Sequence, residues 1–412
     1  MKLSLTLAGL IGLAAASPFS EHDTSGGLQA RGRKCNWKDQ SCCAYPDQYR
    51  DAPYKEPKNY YGYSRTIHVK PGKNAIQKAI RKASPGDRIV VGAGTYAEQV
   101  VIDKDGIQLE GRGAILVKPA TYVTNECTGL TKNMQGQDTQ TGICITGYKV
   151  KKTAFVTEHV RVESVKRYIK GVSVSGFTVQ DFSGVNIAVV GARNTRVSNN
   201  KLIDGNAYGG LTIGSYNTVF SENVVSATKP GFIIGICMDN KSDVLAKKND
   251  ISSQFIGLCV QTNGAVLEHN TLSHNCIGIF IDPGVKNAKV RHNKISESPA
   301  ACGDTGSGII LGSAIGTLVS DNTITKMRTA SKRGVGILIY DDTCVATETM
   351  PLSLSCIVLG GPVKASDNVV IRNKLSDNDS DIVNFSQGTG NVIKCNTCEN
   401  PANIQAGQCK KP

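Results

Sequence analysis

The sequence lacks the signals of several common protein classes. After residue 16 it contains no apolar stretch long enough to cross a membrane, no recognised nucleic-acid-binding motif and no dense basic run. It is short of acidic residues, with 34 Asp and Glu against 47 Lys and Arg, so its formal net charge is +13. We therefore expect no membrane or nucleic-acid partner. The charge favours an acidic partner through long-range attraction, and a basic surface that only aids solubility is the alternative.

The cysteine pattern also lacks what a zinc-binding module needs. Cys395-Asn-Thr-Cys398 has zinc-like spacing, but neither a second pair nor a histidine cluster accompanies it. Fourteen cysteines instead indicate disulfides and an oxidising compartment, with a connectivity that the sequence leaves open. The pairs we consider are Cys127 with Cys144, Cys344 with Cys356 and, in adjacent repeats within disulfide reach, Cys237 with Cys259.

The first residues predict secretion. Residues 1–16 combine a basic start, an apolar core and a small-residue end, which is typical of a signal peptide, so we expect an extracellular protein. Residues 17–34 are polar and Gly-rich and form either a propeptide that ends at a basic site or a frayed tail. Residues 35–65 hold three cysteines and many tyrosines. We interpret them as a disulfide-held lead-in that packs against the first repeats.

A repeat organises residues 171–384. A glycine followed by apolar residues at alternate positions predicts a short strand with one face inward. The seven glycines are Gly184, Gly210, Gly235, Gly257, Gly278, Gly308 and Gly336. An asparagine between two apolar residues accompanies each copy, and the seven are Asn200, Asn223, Asn249, Asn270, Asn293, Asn322 and Asn373. The mean period of roughly 25 residues lies in the range of solenoid repeats.

These repeats predict an all-β fold, a single-stranded parallel β-helix over residues 66–394, closed by a cysteine-containing cap at 395–412. One coil cannot bury its apolar face alone, whereas stacked coils bury a continuous column. The asparagines fall at one point per coil, so we expect them to stack and to hydrogen-bond along the stack. The alternative, an irregular β-sandwich, would not repeat an inward asparagine seven times.

The segment before the repeats predicts a cap. Residues 75–83 form a short amphipathic helix, which would cover the open edge of the first coil. Together with the following strand and the Gly94-Thr-Tyr96 turn, this segment resembles the start of the pectin-lyase-like right-handed β-helix superfamily. The Val-x-x-Asn-x-Leu and Gly-Ile-x-Ile patterns are similar to its generic coils. The resemblance covers residues 66–395 and, with the usual hand of parallel crossovers, implies a right-handed β-helix with an N-terminal capping helix.

One outward-facing column of residues carries the candidate site. In each Gly-led strand we expect the second and fourth residues after the glycine to point outward. The fourth residues are Ala188, Gly214, Asp239, Gln261, Asp282, Gly312 and Tyr340. Asp239 and Asp282 are two coils apart, ~9.6 Å between backbones, with Gln261 between them. Just beyond the strands come Arg193, Tyr216, Lys241, Asp341 and Asp342.

The resemblance implies roles for these residues. The superfamily includes polysaccharide lyases, glycoside hydrolases, uronan epimerases, pectin methylesterases and proteins without a known reaction. In its lyases, acidic residues on one face commonly bind calcium, and a nearby Arg or Lys removes the proton beside the uronate carboxyl. Asp239 and Asp282 would then contact the metal or the carboxylate, and Lys241 or Arg193 would be the base. The remaining candidate substrate contacts are Gln261, Tyr340, Asp341 and Tyr216.

We therefore expect a secreted, monomeric protein that acts on an acidic, uronate-containing polysaccharide as a lyase, with calcium as the candidate cofactor. The sequence lacks the Trp-Ile-Asp-His of pectate lyases, the motif set of polygalacturonases and the Asp-Pro-His of uronan epimerases. Two alternatives stay open. One is an inverting glycoside hydrolase with Asp239 and Asp282 as acid and base, since inverting carboxyls stand about 6.5–9.5 Å apart. The other is a non-catalytic protein that binds glycan or cell wall.

Two further patterns bear on the site. Sequons at Asn240, Asn378 and Asn384 predict N-glycosylation in a secreted protein, and a glycan on Asn240 would crowd Asp239. The repeat is interrupted by excursions at residues 121–141 and 341–367. Long loops on a repeat scaffold often carry function.

Overall fold

The computed structural model describes residues 43, 54, 65–156, 158–228, 233–344, 354–401 and 408–410. The predicted signal peptide and the tail at 17–34 lie outside them. Within these ranges the chain forms three long parallel sheets and one antiparallel hairpin. The chain visits the three sheets in turn, so each circuit is one coil. The predicted all-β parallel β-helix is confirmed.

The three sheets, named A, B and C here, consist of short strands. Sheet A comprises Thr66–Val69, Arg88–Val91, Gln108–Gly111, Ile169–Lys170, Ser173–Ser175, Ala192–Ser198, Tyr216–Ser221, Ser242–Lys247, Val266–Glu268, Lys289–Arg291, Leu318–Ser320, Val369–Ile371 and Val392–Lys394. Sheet B comprises Gly94–Ala97, Ala114–Val117, Thr178–Gln180, Lys201–Ile203, Val224–Ser226, Asp250–Ser252, Thr271–Ser273, Lys294–Ser296, Thr323–Thr325, Lys374–Ser376, Asn396–Cys398 and Cys409–Lys410. Sheet C comprises Val100–Ile102, Thr141–Thr146, Val185–Val190, Tyr208–Ile213, Ile234–Asp239, Ile256–Val260, Ile277–Ile281, Ser307–Gly312, Val335–Tyr340 and Ser380–Asn384.

The helical elements are few. Those in the described ranges include the α-helices Ala75–Lys82 and Leu354–Leu359 and the 3₁₀ helix Ala300–Cys302. In the part of the chain that the structure describes, no helix is long and apolar enough to cross a membrane.

The core is a column of aliphatic side chains inside the coils. In sheet C, Ile236 is paired with Leu258, and Leu258 with Ile279, and all three side chains are fully buried. Each methylene removed from water contributes about 0.8 kcal/mol to stability. The column gains this energy because every coil covers the apolar side chains of its neighbour. The outer face of sheet C carries a second apolar cluster, which includes Leu211 and Ile310.

The predicted asparagine stack is present. From Asn223 to Asn373, each Oδ1 accepts hydrogen bonds from the backbone N–H and the side-chain amide of the asparagine one coil earlier, at 2.9–3.1 Å. Asn396 extends the stack by one coil beyond Asn373. The amide nitrogen of Asn270 also donates to the Ala246 carbonyl oxygen, at 2.9 Å. The stack therefore satisfies backbone groups that a sharp turn leaves without a partner in any sheet.

The helix at the start covers the first coil, as predicted. Its buried residues Ile76, Ala79 and Ile80 belong to the main core. The Glu98 carboxylate accepts hydrogen bonds from the backbone N–H groups of Ile76 and Gln77, at 3.1 and 3.0 Å. Glu98 thus provides the partner that the first turn of a helix lacks, and its negative charge suits the helix N-terminus.

A hairpin over the outer face of sheet C is the main departure from the predicted coils. Its strands are Tyr148–Val156 and His159–Arg167. Val165 packs on Gly147 and Gly191, and a Cβ added to these glycines would lie 2.8 and 2.7 Å from the methyl carbons of Val165. Val162 packs on Gly214 in the same way, and a Cβ there would lie 2.3 Å from Val162. We call Gly147, Gly191 and Gly214 the glycine column. These positions let the hairpin lie directly on the coils.

Disulfides tie the irregular segments to the stack. Cys127 is bonded to Cys144, as predicted, and holds the 121–141 excursion on sheet C. Cys344 is disulfide-bonded, and the side chain of its predicted partner Cys356 lies outside the described residues. The other described bonds are Cys43–Cys395, Cys276–Cys302 and Cys398–Cys409.

The lead-in is held at the end of the stack opposite to the one predicted. Cys43 is bonded to Cys395 in the last coils, and the Arg372 side chain donates to the Cys43 carbonyl oxygen at 3.1 Å. Farther along the lead-in, the Tyr54 hydroxyl donates to Asn217 Oδ1 at 2.6 Å. The two described residues of the lead-in therefore contact the last coils and a middle coil, not the first ones.

Candidate functional site

The predicted outward column is present over five coils of sheet C. The strand register places in one row Asp239, Gln261, Asp282, Gly312 and Tyr340, which we call the acid column. The side chains of Asp239 and Asp282 lie on the same outer face, two coils apart, as predicted.

The predicted column is wrong at its first two positions, Ala188 and Gly214. Ile213, not Gly214, is paired with Asp239, and Val190 is paired with Ile213. Ala188 lies in the neighbouring outward row, two residues closer to the middle of the strand. The coils before Asp239 therefore place aliphatic side chains where the next coils place polar ones.

The error follows from the choice of glycine. Gly210 is paired with Ile236, so Gly209 is the residue equivalent to Gly235. In the coil before, Asn186 takes the same place. A local pattern cannot align a coil that has two adjacent glycines, or a coil in which asparagine replaces the glycine, with the other coils. A shift of one residue in that alignment reverses which side chains face outward.

The tip of the 148–167 hairpin brings three more groups to the acid column. Glu158, His159 and Arg161 all come from the tip or the strand that follows it. Sequence reasoning missed them because they are about 100 residues from Gln261 in the chain, and no repeat pattern connects them. The alternation of Val160 and Val162 with polar residues is the one signal that predicts a strand there.

Asp239 faces the positive side of this cluster. Its Oδ2 atom lies 3.5 Å from His159 Nε2 and 3.8 Å from Arg161 Nε. The other ring nitrogen of His159 is 3.1 Å from the Tyr208 hydroxyl, which fixes the orientation of the ring. The Asp239 side chain is 16% exposed, so solvent reaches it.

Asp282 is buried under the tip. It is 2% exposed, and its Oδ2 atom has no hydrogen-bond partner. Its Oδ1 atom lies 4.0 Å from Cys259 Sγ. Burial and the nearby Glu158 carboxyl raise the pKa of Asp282 well above its ordinary value. Asp282 therefore holds its proton where an exposed aspartate has lost it.

Glu158 is joined to the column through Gln261. Gln261 Nε2 donates to Glu158 Oε2 at 3.0 Å, and Arg161 Nη2 lies 3.5 Å from Gln261 Oε1. Burial also raises the pKa of Glu158, although His159 and the Gln261 hydrogen bond oppose the shift. Asp239 beside Arg161 and Asp282 beneath Glu158 are thus two aspartates of the same column in opposite environments.

Two thiols lie under the tip. Cys237 and Cys259 are paired in register, and the structure has both as buried thiols, so the disulfide considered for them is wrong. Burial raises the pKa of Cys237 to about 12 and that of Cys259 well above its ordinary value. Tyr208 closes the cluster on one side, and burial raises the pKa of its hydroxyl as well.

One group of side chains could hold a metal ion in the part of the chain that the structure describes. The ligand atoms of Glu158, Cys237 and Cys259 all lie within 4.8 Å of one another. The predicted calcium pair differs from it, since Asp239 faces His159 and Arg161, whereas Asp282 adjoins Cys259. Calcium at Asp239 and Asp282 stays a prediction.

The far end of the column is aromatic. A Cβ on Gly312 would lie 2.9 Å from the Tyr340 hydroxyl oxygen, so the tyrosine side chain lies across the glycine. Burial raises the pKa of Tyr340 above its ordinary value. Asp341, next in the chain, accepts hydrogen bonds from the Ser386 hydroxyl and from the Ala365 N–H, at 2.5 and 2.8 Å, so its carboxylate fastens the neighbouring loop.

The predicted residues beyond the strands form a separate group. The exposed guanidinium of Arg193 lies over the rings of Tyr168 and Tyr216, at 4.5 and 4.6 Å from their centroids. Lys241 is exposed in the turn after Asp239. Among the residues described, neither basic side chain has a hydrogen bond or an ion pair with the acid column.

Two of the predicted glycosylation sites are buried. Asn240 is 7% exposed, and its amide nitrogen donates to the Thr218 hydroxyl at 3.0 Å. Asn378 is 1% exposed and donates to Asp381 at 2.7 Å. The folded chain has no room for a glycan at either residue, so the predicted crowding of Asp239 does not arise. Asn384 is half-buried.

Comparison with known proteins identifies the architecture. The family model of the right-handed β-helix region matches residues 234–407. The chain is a right-handed parallel β-helix protein. No curated protein matches its sequence. The resemblance to the pectin-lyase-like superfamily, predicted from the capping helix and the coils, is confirmed at the level of the fold.

Solved structures agree with this assignment. A polygalacturonase from Erwinia carotovora ssp. carotovora superimposes with a TM-score of 0.53 at 12% identity, over 87% of this chain and 99% of that one. An endo-xylogalacturonan hydrolase from Aspergillus tubingensis gives a TM-score of 0.52 at 12% identity, over 84% and 99%. At this identity the likeness shows the fold alone.

Proposed function

We propose that this β-helix protein is a secreted glycoside hydrolase that acts on an acidic, uronate-containing glycan. The observation that carries the proposal is the pair Asp239 and Asp282, which lie on one outer face of sheet C, two coils apart, in opposite environments. Two strand spacings amount to about 9.6 Å between backbones. This is compatible with the ~6.5–9.5 Å that separates the carboxyls of inverting glycosidases.

The two aspartates take different parts in the reaction. Asp282, buried and protonated, donates its proton to the leaving glycosidic oxygen as the bond from that oxygen to the anomeric carbon breaks. Asp239, which faces Arg161, removes a proton from the water whose oxygen attacks the anomeric carbon from the other side. Catalytic acids and bases are often carboxyls whose environments separate their pKa values.

The hairpin tip controls access to the acid. Asp239 is open to solvent, whereas Asp282 lies beneath Glu158 and Arg161. A sugar ring therefore contacts Asp282 only when the tip lifts from Gln261. Closure of such a segment over a bound substrate excludes water, which strengthens the electrostatic contacts inside the site.

The acidic character of the substrate is inferred from charge. The chain carries a formal charge of +13. Arg193 presents an exposed guanidinium, and in the described ranges it has no carboxylate partner. Tyr168 and Tyr216 hold it in place. Guanidinium groups bind carboxylates through paired hydrogen bonds, and sugar rings pack well on aromatic rings.

Hydrolysis fits the site better than elimination. A lyase needs a base of lowered pKa beside the uronate carboxyl. Lys241 and Arg193, the predicted bases, are exposed and make no hydrogen bond or ion pair with the acid column among the described residues. The acid column offers instead the two carboxyls that hydrolysis requires.

Product analysis tests the proposal. Polygalacturonate, alginate and glucuronan are incubated with the protein, and reducing ends and ultraviolet absorbance are followed together. New reducing ends without new absorbance are expected on at least one of them. Unsaturated, absorbing products would show a lyase, and binding without turnover would show a non-catalytic protein.

Matched variants identify the residues. Asp239→Asn and Asp282→Asn are each expected to lower kcat at least 100-fold, because proton transfer by a positioned side chain typically contributes 10²–10⁴-fold. Asp243→Asn, exposed near the start of the sheet A strand that follows Asp239, is the control and is expected to keep its activity. Equal activity of all three variants would refute the assigned roles.

A further inference from the structure

The thiol pair under the hairpin tip differs from every other cysteine that the structure describes. Cys43, Cys127, Cys144, Cys276, Cys302, Cys344, Cys395, Cys398 and Cys409 are disulfide-bonded. Cys237 and Cys259 alone are thiols in these ranges, although they face each other in adjacent coils. A packing role alone would be served by the aliphatic residues that occupy this row in other coils, such as Leu211 and Ile310.

A carboxyl group is placed directly over this pair. The hairpin tip brings Glu158 so close that its carboxylate and the two sulfur atoms lie within 4.8 Å of one another. Such mutual distances suit three ligands arranged around one ion. Metal–sulfur bonds of about 2.3 Å and metal–oxygen bonds of about 2.0–2.2 Å place tetrahedral ligand atoms somewhat closer together, so a small inward movement completes the site.

A second, independent observation points to a ligand. Asp282 is 2% exposed, and its Oδ2 atom has no hydrogen-bond partner. Buried polar atoms are rarely left without a partner, and each such atom calls for a ligand, a water or an ion. Its Oδ1 atom is 4.0 Å from Cys259 Sγ, which puts this carboxyl beside one of the same three groups.

We propose that Cys237, Cys259 and Glu158 form a binding site for a soft divalent cation of the zinc class, with Asp282 as the fourth ligand. Thiolates select zinc over calcium, which prefers six to eight oxygen ligands. Two sulfur and two carboxylate ligands make a closed tetrahedral set. This site shares Asp282 with the predicted calcium pair but differs from it in using two thiolates and Glu158, and neither Asp239 nor the exposed groups around it.

The cation would also control the proposed reaction. With a cation bound, Glu158 fastens the hairpin tip to sheet C, and Asp282 has no proton to donate. The metal-bound form is then closed and inactive, a consequence that rests on the proposed hydrolase function. Binding itself does not, so it can be tested without any substrate.

The binding experiment uses the full secreted chain without an affinity tag. Metal-free protein is titrated with Zn²⁺, with Ca²⁺ and with Co²⁺, whose thiolate complexes absorb in the near ultraviolet and whose tetrahedral sites absorb in the visible. One Zn²⁺ per chain, a raised Tm and both cobalt bands are expected, and Ca²⁺ is expected to leave the cobalt spectrum unchanged. Loss of the cobalt bands on addition of Ca²⁺ would overturn the proposal.

Variants locate the site. Cys237→Ser and Cys259→Ser are each expected to abolish the thiolate band, and Glu158→Gln to weaken Zn²⁺ binding at least 10-fold. Glu163→Gln, on the same hairpin but paired with Lys151 at 2.8 Å, is the matched control and is expected to bind as the parent does. If a cysteine variant fails to fold, peptide mass analysis of the parent protein tests whether Cys237 and Cys259 are thiols. A Cys237–Cys259 disulfide in the native protein would refute the site.

Inhibition of hydrolysis by Zn²⁺ is tested separately from Zn²⁺ binding. If Zn²⁺ binds as described but does not slow glycan hydrolysis, the metal site stands and its link to catalysis falls. If no glycan is turned over at all, the spectroscopic result is unaffected.

Discussion

The asparagine stack provides the sharpest test of how the coils hold together. Asn270 is 1% exposed and lies in the middle of the stack. Its Oδ1 atom accepts from the Asn249 backbone N–H at 3.0 Å and from the Asn249 side-chain amide at 2.9 Å. Its Nδ2 atom donates to the Ala246 carbonyl oxygen and to Asn293 Oδ1, both at 2.9 Å. One side chain therefore takes part in four buried hydrogen bonds.

The expected cost of Asn270→Ala follows from the groups that lose a partner. The Asn249 amide still donates to the Phe220 carbonyl oxygen, and Asn293 Oδ1 still accepts from the Asn270 N–H. The two groups that lose the bond made by this side chain are the Asn249 N–H and the Ala246 carbonyl. Each unsatisfied buried group costs about 1–3 kcal/mol, so for the two groups we expect a loss of about 2–6 kcal/mol in the free energy of unfolding.

Urea unfolding followed by circular dichroism measures this loss. Asn263→Ala is the matched control, because Asn263 is exposed and its side chain makes one turn bond, to the Lys286 N–H at 2.7 Å. The control is expected to lose less than about 1 kcal/mol. Equal losses for the two variants would refute the reasoning that the stack stabilises the coils by satisfying buried backbone groups.

Two further predictions concern the irregular segments. Gly214→Ala should detach the hairpin, because the new Cβ would lie 2.3 Å from Val162. Gly264→Ala is the matched control, because Gly264 also has a positive φ but its new Cβ would meet nothing within 4 Å. Limited proteolysis should cut the hairpin only in the first variant, and cleavage of both at the same rate would contradict the close contact. Cys43→Ser should release the lead-in and lower stability by up to about 5 kcal/mol, because the bond to Cys395 closes a very long loop. Urea unfolding of this variant and its parent decides, and an unchanged midpoint would show that the lead-in contributes nothing to the stability of the coils.

The fold was predictable because its signals are local and repeated. Each coil carries its own asparagine, and the spacing of the apolar residues around it is nearly constant. A pattern that recurs in many coils fixes the direction of side chains even where one coil departs from it. Asp239, Gln261 and Asp282 were placed correctly because the coils that contain them each begin with a single glycine.

The rest of the site was not predictable for a physical reason. Glu158 and Arg161 reach the acid column through a hairpin that interrupts the repeat, so no periodicity connects them with it. Cys43 is bonded to Cys395, 352 residues away in the sequence. The burial of Asn240 depends on Thr218 and Thr212, which lie in other coils. Contacts of this kind come from tertiary packing, which a local pattern does not contain.

The glycine column explains why the candidate site lies where it does. Gly147, Gly191 and Gly214 allow the hairpin to lie directly on three successive coils, and aliphatic residues such as Ile213 fill the adjacent row. The next position after Gly214 in this column is Asn240, so the run of glycines ends there. In the coils that follow, Glu158 and Arg161 of the hairpin tip meet polar side chains of the acid column, with Gln261 donating to Glu158 and Asp239 facing Arg161. The end of the glycine column therefore coincides with the first coil of the acid column.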